Sequence, residues 1–267
     1  MSTTRPDFAT IGGLALAIAG IAGGLVLEGG RLQDVAQVTA AVIVLGGTLG
    51  AVMINTPLQQ FLRAARQLRH VFFTTPELTP DRIEEIIGFA LLARTFGIVS
   101  LEKRTEELPD PFLRKALELA IDGVTCTQIR DIMQIDIELS EQNAEAEAKV
   151  FETAGGYAPT IGIIGAVLGL IQVMKHLADL DVVGRGIAIA FVATLYGVGS
   201  ANLFFLPAAN KLRARAHAAA RLKELTLEGV LGIAEGVHHR AIRRKLETFL
   251  EGGASPRPAT LAAVKTA

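Results

Sequence analysis

Tryptophan is absent from this sequence, cysteine occurs once, as Cys126, and only two of the 267 residues are tyrosine. A single cysteine excludes a disulfide framework and a cysteine-based metal cluster. Charge is also scarce: Asp, Glu, Lys and Arg make up 20 % of the chain, and the net charge of -1 removes the electrostatic argument for a nucleic-acid binder. The sequence contains no phosphate loop, nucleophile–base pair or metal cluster, so we do not expect an enzyme.

Small and aliphatic residues are abundant instead. Hydrophobic residues make up 50 % of the chain, 27 residues are glycine, and the mean hydropathy is +0.40. A soluble domain of this length and hydropathy would expose too much apolar surface to water. Small residues inside apolar runs let membrane helices pack closely. The composition therefore predicts a membrane protein.

Four uncharged apolar runs define the layout. They are named span 1 (8–27), span 2 (35–54), span 3 (157–174) and span 4 (186–207). A helix needs about 20 residues to cross a hydrocarbon core of about 30 Å, and it satisfies its own backbone hydrogen bonds there. Because span 1 lacks a preceding basic cluster and is too long for a typical signal peptide, we interpret it as a retained span.

Lysine and arginine are concentrated in two segments. Residues 55–154 hold 11 of the 26 in the chain, and residues 208–267 hold another 11. The short connections 28–34 and 178–185 hold one each. By the positive-inside rule, both long segments and both termini are expected in the cytoplasm, and in a bacterium the membrane would be the inner membrane.

The segment after span 2 has the signals of helices and no alternating strand pattern. Thr79-Pro80 is a typical helix start, and the first helix is predicted from Asp81 to about Leu108, before the breaker Pro109-Asp110-Pro111. A second helix is predicted from Phe112 to about Asp122, ended by Gly123.

A third helix is predicted from Thr125 toward Thr153 and on into span 3, with its acidic stretch 131–152 forming a solvated face. A tail helix, 208–250, is predicted to continue from span 4, and residues 251–267 are expected to be disordered. The predicted fold class is all-α: a polytopic membrane protein of four transmembrane helices, with a helical cytoplasmic domain between spans 2 and 3 and a C-terminal cytoplasmic helix. The predicted segments are 1–54, 55–154, 155–207, 208–250 and 251–267.

The four spans contain no Asp, Glu, Lys, Arg or His. Ionisable residues inside the membrane are the usual sign of a proton relay, so their absence argues against a self-sufficient pump. The polar side chains of spans 3 and 4 are Thr160, Gln172, Thr194, Tyr196, Ser200 and Asn202. Hydroxyls can line a hydrated path or hydrogen-bond a carboxylate, but they do not exchange protons near neutral pH. If the chain conducts ions, another chain has to carry the titrating group.

Small residues form a smooth face on spans 3 and 4. They recur at steps of three and four: Ala158, Gly162, Gly165 and Gly169 in span 3, and Ala190, Thr194, Gly197 and Ala201 in span 4. The pairs Gly20/Gly24, Gly46/Gly50 and Gly165/Gly169 are GxxxG motifs. Helix–helix packing is the favoured interpretation of these faces, ahead of a lined pore. Pro159 and Pro207 stand at span ends, where a proline either caps the span or forms a hinge.

Several longer fragments occur in a fixed order. They are Leu27-Glu28-Gly29-Gly30, Val44-Leu45-Gly46-Gly47-Thr48, Asn55-Thr56-Pro57-Leu58, Leu91-Leu92-Ala93-Arg94 with Gly97 through Leu101-Glu102, Asp122-Gly123, Tyr157-Ala158-Pro159-Thr160-Ile161-Gly162 and Ala193-Thr194-Leu195-Tyr196-Gly197 with Leu206-Pro207. From about Asp7 to Leu250, the chain resembles the MotA family of flagellar stator subunits, within the wider MotA/TolQ/ExbB group. The resemblance lies in the order and spacing of these fragments and in the arrangement of the spans as two pairs. TolQ and ExbB relatives have three spans, so four favour MotA.

The resemblance implies a partner chain. MotA-type subunits form a homopentamer around a dimer of MotB-like partners, each with a peptidoglycan-binding domain and one span that carries an essential Asp. That partner would supply the missing carboxylate. The implied function is a stator that couples ion flow to torque on the rotor protein FliG, without a cofactor or metal.

The resemblance also places Pro159, Thr194 and Pro207 beside the ion path. Thr194 would hydrogen-bond the partner carboxylate or a passing hydrated ion, and the prolines would couple protonation to helix movement. Thr160 is included among the predicted path residues because it supplies a second hydroxyl. Sodium-driven members tend to carry Thr where this sequence has Ala166, and Na⁺ needs several oxygen ligands. We therefore expect H⁺ as the translocated ion, with Na⁺ as the alternative.

Arg94 and Glu102 match the charged residues with which the family contacts FliG. They are eight residues apart, just over two helical turns, and on one helix they would face the same way. Spacing alone would favour ordinary solvated charges. The resemblance favours a rotor contact, with Lys103 and Arg104 as neighbours.

Two histidines, His238 and His239, stand where many family members have an Asn-Pro turn. Such a pair invites a metal or pH-sensor hypothesis. Adjacent residues do not share a helix face and the sequence offers no third ligand, so exposed turn residues are the favoured interpretation.

Two alternatives to a flagellar stator remain open. One is a TolQ/ExbB-like or gliding-type motor subunit that energises another machine. The other is a small-molecule transporter, which the charge-free spans and the lack of an inverted repeat oppose.

Overall fold

The structure, a computed structural model, describes residues 5–74 and 79–251, and nearly all of them are helical. The helices are α1 (Phe8–Leu27), α2 (Val38–Ala41), α3 (Gly47–Asn55), α4 (Leu58–Phe72), α5 (Thr79–Phe96), α6 (Glu102–Glu106), α7 (Pro111–Ile121), α8 (Cys126–Lys175), α9 (Leu180–Ser200), α10 (Leu206–Ala234) and α11 (His239–Glu251). The predicted all-α class is confirmed. The predicted disordered tail lies outside the described residues from 252 onward.

The described chain divides into two compact units. The span unit comprises residues 5–74 and 141–217, and the helical unit comprises residues 79–140 and 218–251. Four helical stretches are long and apolar enough to cross a membrane: Phe8–Leu27, Leu32–Asn55, and parts of Cys126–Lys175 and Leu180–Ala234. Each contains one predicted span, so the four-span layout is confirmed.

Two of the spans depart from regular α-helix. In span 2 a 3-10 turn, Leu32–Val35, is followed by the extended residue Gln37, and a π-helical segment, Val42–Gly46, separates α2 from α3. In span 4 a second π-helical segment, Ala201–Phe205, separates α9 from α10. Neither π segment leaves a periodicity signal in the sequence, because the pattern of apolar residues continues through it.

The second helix of the helical unit forms where the sequence predicts it. The Asp110 carboxylate accepts hydrogen bonds from the amides of Phe112 and Leu113, at 2.9 and 3.4 Å, and Pro111 takes the first helical position. This arrangement satisfies amides that an isolated helix start would leave without a partner. The helix ends before Gly123, which has a φ of +74°.

The first helix of this unit is shorter than predicted. The sequence predicts one helix from Asp81 to about Leu108, but α5 ends at Phe96, and a 3-10 turn, Ile98–Leu101, leads into α6. The break lies at Gly97, which has a φ of +84°. Glycine adopts this left-handed conformation without the steric cost that a Cβ would impose, so the chain turns where a continuous helix was expected.

The tail is also two helices rather than one. Gly236 has a φ of +68°, and the amides of Gly236 and Val237 donate to the carbonyls of Ile233 and Gly232 at 3.0 and 2.9 Å. This pair of hydrogen bonds is the Schellman motif, which ends a helix at a left-handed glycine. The predicted continuous helix 208–250 is therefore divided into α10 and α11.

Part of the acidic stretch of α8 pairs with basic residues. In the helical unit the Asp136 carboxylate lies 3.2 Å from Lys115 Nζ and 3.3 Å from Lys223 Nζ. In the span unit Glu145 and Glu152 lie 3.7 and 2.8 Å from the Arg213 guanidinium. The acidic face predicted to be solvated is thus partly engaged in ion pairs, because α10 contributes basic residues to both units.

A short strand pair holds the N-terminal end of span 1 next to the C-terminal end of α4. Strand β1 (Arg5–Pro6) pairs antiparallel with β2 (Phe73–Thr74), and the Asp7 amide donates to the carbonyl of Phe72 at 2.8 Å. The Asp7 carboxylate accepts from the Thr10 amide at 3.1 Å and pairs with Lys211 and, at 3.2 Å, with Arg215. These four side chains, Asp7, Thr10, Lys211 and Arg215, are named the Asp7 clamp. Two-residue strands are too short for any alternation signal, so the sequence did not predict them.

Candidate ion path and rotor-facing surface

Spans 3 and 4 contact each other through backbone rather than through large side chains. A Cβ added at Gly162 would lie 2.9 Å from the carbonyl oxygen of Ala193, and one at Gly169 would lie 2.7 Å from that of Gly186. A Cβ at Gly197 would lie 2.6 Å from the carbonyl oxygen of Ala158. Only glycine allows this approach. The glycines of the smooth faces therefore pack the two spans together.

The other two GxxxG motifs are not packed against any residue that the structure describes. A Cβ added at Gly20, Gly24, Gly46 or Gly50 would meet no atom within 4 Å. None of the residues of α1 is buried. These small-residue faces are open to whatever surrounds the chain in the membrane.

The close crossing of spans 3 and 4 brings Thr194 and Pro159 together. The Cα of Thr194 lies 3.5 Å from a Cβ built at Gly162, and the Cα of Pro159 lies 3.2 Å from one built at Gly197. The Thr194 hydroxyl donates to the carbonyl of Ala190 at 3.2 Å, so its oxygen keeps a lone pair for a further partner. Two of the predicted path residues thus lie at one helix crossing.

Each of the two spans presents an exposed face beside this crossing. On span 4 the exposed residues are Thr194 with Ile187, Phe191 and Val198, at steps of three and four that place them on one side of the helix. On span 3 they are Thr160 with Ile163, Ile164 and Val167. Apolar faces with one hydroxyl each are suited to a further apolar helix.

Thr160 and Ala166 differ in exposure. The Thr160 side chain is exposed, and its hydroxyl donates to the carbonyl of Tyr157 at 2.8 Å. Ala166 is half-buried and stands seven residues after Pro159, which is about 10 Å along the helix. Both residues belong to the same uninterrupted helix, α8, despite the proline within it.

Pro207 is not brought to this crossing. It stands thirteen residues after Thr194, about 20 Å along the helix, and lines a groove with α1 and α4. The π segment before it has a physical reason: proline has no N–H and its ring would clash with the carbonyl four residues earlier. The preceding amide, that of Leu206, donates to Ala201, five residues back.

Tyr196 has a structural role that sequence reasoning missed. Its hydroxyl donates to the carbonyl of Val35 at 2.6 Å and accepts from the amide of Gln37 at 3.3 Å. These are the backbone groups that the break before α2 leaves without helical partners. The side chain in span 4 thus completes the entry of span 2. The tyrosine was visible as a polar residue in an apolar run, but its partner was not predictable from local sequence.

The four predicted rotor-contact residues lie around the turn at Gly97. Arg94 is in the last turn of α5, whereas Glu102, Lys103 and Arg104 are in α6, and all four are exposed. Their alignment on one helix, inferred from the eight-residue spacing, is wrong, because α5 ends between them. Within the described part of the chain none of the four has an ion-pair partner.

Two apolar side chains lie among these charges. Phe96 is 71 % exposed and Val99 is 63 % exposed, one on either side of Gly97. Sequence reasoning missed both, because a large apolar residue near a helix end is ordinarily assigned to the core. An exposed apolar centre with charges around it is typical of protein–protein contact surfaces.

The two turn histidines contact each other. Their rings stack with centroids 4.2 Å apart, since His238 caps α11 rather than belonging to it, and its Nδ1 accepts from the Arg240 amide at 3.2 Å. Desolvation lowers the pKa of His238, and the positive charge of Arg94 lowers it further. Among the described residues no group of three metal-binding side chains is assembled.

Comparison with known proteins covers most of the chain. Residues 11–96 match the family described as Motility protein A N-terminal, and residues 104–224 match the MotA/TolQ/ExbB proton channel family. Motility protein A of Bacillus subtilis is 37 % identical over 248 residues, which cover 91 % of each chain. The chain belongs to the MotA family.

Solved structures agree with this MotA assignment over the whole fold. C. jejuni MotAB matches with a TM-score of 0.87 at 33 % identity, covering 94 % of this chain and 98 % of that one. The flagellar MotAB stator complex of Bacillus subtilis matches with a TM-score of 0.85 at 36 % identity, covering 91 % and 96 %. The resemblance drawn from the motifs is confirmed, and the most specific of those motifs form the crossing of spans 3 and 4.

Proposed function

We propose that this MotA-type chain is the ring-forming subunit of an ion-driven flagellar stator and that a MotB-type partner supplies its titrating carboxylate. Family membership and the likeness to two MotAB structures support the stator activity, the coupling of ion flow to flagellar rotation. The observation that carries the partner assignment is that the four spans contain no charged residue while span 4 presents an exposed face around Thr194.

The exposed faces of spans 3 and 4 fit a partner helix. A carboxylate on that helix, held against the Thr194 hydroxyl, would have a hydrogen-bond donor or acceptor in an otherwise apolar contact. Thr160 and Ala166 lie along the same helix as Pro159 and would border the path. Five copies of the chain around a partner dimer, in the inner membrane with both termini in the cytoplasm, complete the proposed arrangement.

The proposed ion is H⁺. A carboxylate can carry a proton alone, whereas Na⁺ needs several oxygen ligands at once. The described span residues near Thr194 offer few oxygens, and position 166 is an alanine. Pro207, at the end of span 4 and next to a π segment, would be the point where helix movement is accommodated.

The surface around Gly97 is the proposed rotor contact. Arg94, Glu102, Lys103 and Arg104 are exposed and have no ion-pair partner among the described residues, so they would be available to charges on FliG. Phe96 and Val99 would form the apolar centre of the contact, where burial contributes most of the binding free energy. This surface is where the torque would be transmitted.

Charge reversal tests the rotor contact. In a motile host that lacks its own stator subunits, Arg94→Glu and Glu102→Lys are expected to lower the swimming speed, and each is expected to be partly rescued by reversal of an opposite charge on FliG. Asp131→Lys, an exposed acidic residue in α8, is the matched control and should swim normally. If no FliG reversal rescues either variant while ring assembly is intact, the rotor assignment is wrong.

Swimming itself tests the broader proposal. The chain co-expressed with its MotB-type partner should restore motility to that host, and replacing the partner's intramembrane Asp by Asn should abolish it. Assembly and ion flux without any restored motility would favour a TolQ/ExbB-like motor that drives another machine.

A further inference from the structure

A cavity of about 240 Å³ opens on the helical unit where α5 and α10 end. It is lined by Ala90 and Ala93 of α5, by Ala234 of α10 and by Val237 in the turn that follows. Among the described residues, every side chain that lines it is apolar except that of Arg94. Binding sites for drug-sized ligands measure about 300–1,000 Å³. This cavity therefore fits a single side chain of a protein partner better than a small molecule.

The cavity lies where two helices end at left-handed glycines. Gly97 ends α5 with a φ of +84°, and Gly236 ends α10 with a φ of +68°. The alanines that line the cavity contribute only methyl groups, so space remains between the two helix ends. After a Schellman motif the next apolar residue often packs back on its own helix, but Val237 remains 38 % exposed. Apolar surface is thus left open next to the turn that carries Phe96 and Val99.

Two exposed arginines at this cavity have no ion-pair partner in the part of the chain that the structure describes. Arg94 lines the cavity, and Arg240 follows in the first turn of α11. Desolvation lowers the pKa of His238, and the positive charges of Arg94 and Arg240 lower it further, so both guanidinium groups lie near that ring. The Glu235 carboxylate interacts with Arg130 and is not among the charges that act on His238. An anionic group of a partner would therefore find both arginines unpaired.

We propose, on the basis of the rotor contact proposed above, that this cavity receives a large apolar side chain of the rotor protein and that an Asp or Glu next to that side chain pairs with Arg94 and Arg240. The apolar walls fit the first group and the unpaired cations fit the second. An apolar anchor that fills such a recess contributes a large share of the binding free energy of an interface. Residues 252–267 would not fit, because they include Arg257 and Lys265 and no acidic side chain.

Filling the cavity tests whether it is occupied. Ala93→Leu places a larger side chain in the cavity, and Ala241→Leu, at an exposed site of α11 that does not line it, is the matched control. Fluorescently labelled FliG is titrated onto the assembled stator complex in lipid nanodiscs, and the affinity is measured by anisotropy. Ala93→Leu should weaken binding at least about tenfold, the contribution of one buried apolar side chain. Ala241→Leu should bind like the parent. If Ala93→Leu also binds like the parent, the cavity is not occupied.

Two substitutions of exposed residues keep the test independent of core packing. Val237→Ser makes the cavity wall polar and should weaken FliG binding about fivefold. Arg240→Gln should weaken it up to about fivefold and reduce its salt dependence. Arg244→Gln is the control for charge, because Arg244 is also exposed and unpaired among the described residues but does not act on His238. Equal affinity and salt dependence of the two Gln variants would overturn the carboxylate pairing. Hydrogen exchange of the α5 and α10 peptides verifies that each variant is folded.

Photo-cross-linking identifies the occupant. Benzoylphenylalanine in place of Val237, in motile cells, should cross-link to FliG at a large apolar residue with an Asp or Glu within one helical turn, and the same probe in place of Asp131 should not. A cross-link from position 237 to a second copy of this chain or to residues 252–267, or none to FliG, would overturn the proposal. If Arg94→Glu is nevertheless rescued by charge reversal on FliG, only the cavity assignment fails. If that rescue is absent as well, the rotor contact itself is wrong.

Discussion

The hydroxyl of Thr194 is a single polar group on an exposed apolar face of span 4. We predict that Thr194→Val, which keeps the shape and removes the hydroxyl, lowers torque at least about tenfold, the effect of one missing hydrogen bond in an apolar contact. Thr194→Ser should keep most of the function. Swimming speed and ring assembly are measured together, and a Val variant that assembles and swims normally would remove Thr194 from the path.

A second residue-scale prediction concerns Glu228 in the helical unit. Burial raises the pKa of this carboxyl, but hydrogen bonds from Arg130 and from Lys245, whose Nζ lies 2.5 Å away, outweigh burial and hold the pKa below its ordinary value. A carboxyl with a depressed pKa stabilises the folded state above its unfolded pKa of about 4.3 and loses that effect as the pH falls through the folded value. The helical unit should therefore weaken with acidification.

The test compares Glu228→Gln with its parent at each pH. Between pH 7 and pH 5 the variant should be less stable by about 1–2 kcal/mol, and the difference should shrink below about pH 4.3. Hydrogen exchange of the α10 and α11 peptides, in the intact complex, reports this local stability. A difference that stays constant down to pH 3.5 would contradict the charge-pairing account. Glu118→Gln, at an exposed site with no ion pair among the described residues, is the control.

Sequence reasoning at this scale succeeded where a residue's own chemistry decides its role. The helix end at Gly123 was predicted because a left-handed turn depends on one residue alone, whereas Asp110 was assigned only to a breaker and its capping role was not predicted. Tyr196, Asp7 and Lys211 were not, because each acts through a partner at least 150 residues away. Phe96 and Val99 were missed because nothing local distinguishes an exposed apolar residue from a core one.

At the scale of elements, glycine decides how closely spans 3 and 4 approach. A Cβ at Gly197 would lie 2.6 Å from the carbonyl oxygen of Ala158 and 3.2 Å from the Cα of Pro159, so Gly197→Ala has to push the spans apart. Overpacking of this kind costs about 1–3 kcal/mol. Gly199→Ala in the same span, where a side chain meets no atom within 4 Å, is the matched control.

The measurement is resistance of the purified ring to thermal dissociation in detergent. Gly197→Ala should dissociate at a lower temperature than the parent, and Gly199→Ala should not, unless a neighbouring copy packs on that glycine. Equal behaviour of Gly197→Ala and the parent would mean that the spans can separate freely, and the crossing would then no longer be a fixed scaffold for Thr194.

The elements themselves were largely predictable, and their interruptions were not. Four charge-free runs of membrane length specify four spans, and the predicted continuation of α8 into span 3 is confirmed although Gly155-Gly156 and Pro159 lie at the junction. The turns at Gly97 and Gly236 were missed because a lone glycine can be tolerated inside a helical pattern and does not by itself mark a helix end. The π segments depend on the geometry around Pro207 and on packing, which periodicity does not report.

At the scale of the whole molecule, the absence of charged residues from the spans bears on how the ion selectivity arises. With no titrating group of its own in the membrane, the ring contributes hydroxyl and carbonyl oxygens only, and the selectivity depends on how many of them reach the partner carboxylate. The side chain of Ala166 provides no oxygen, whereas Na⁺ needs a shell of several oxygen ligands. A proton needs no such shell.

We therefore predict that swimming supported by this chain follows the proton gradient. Rotation should continue in sodium-free medium and stop when a protonophore collapses the proton gradient at constant sodium. Tethered-cell rotation with each gradient clamped in turn measures both. Rotation that survives the protonophore and scales with external sodium would contradict the prediction, and the hydroxyl and carbonyl oxygens of spans 3 and 4 would then be candidate Na⁺ ligands.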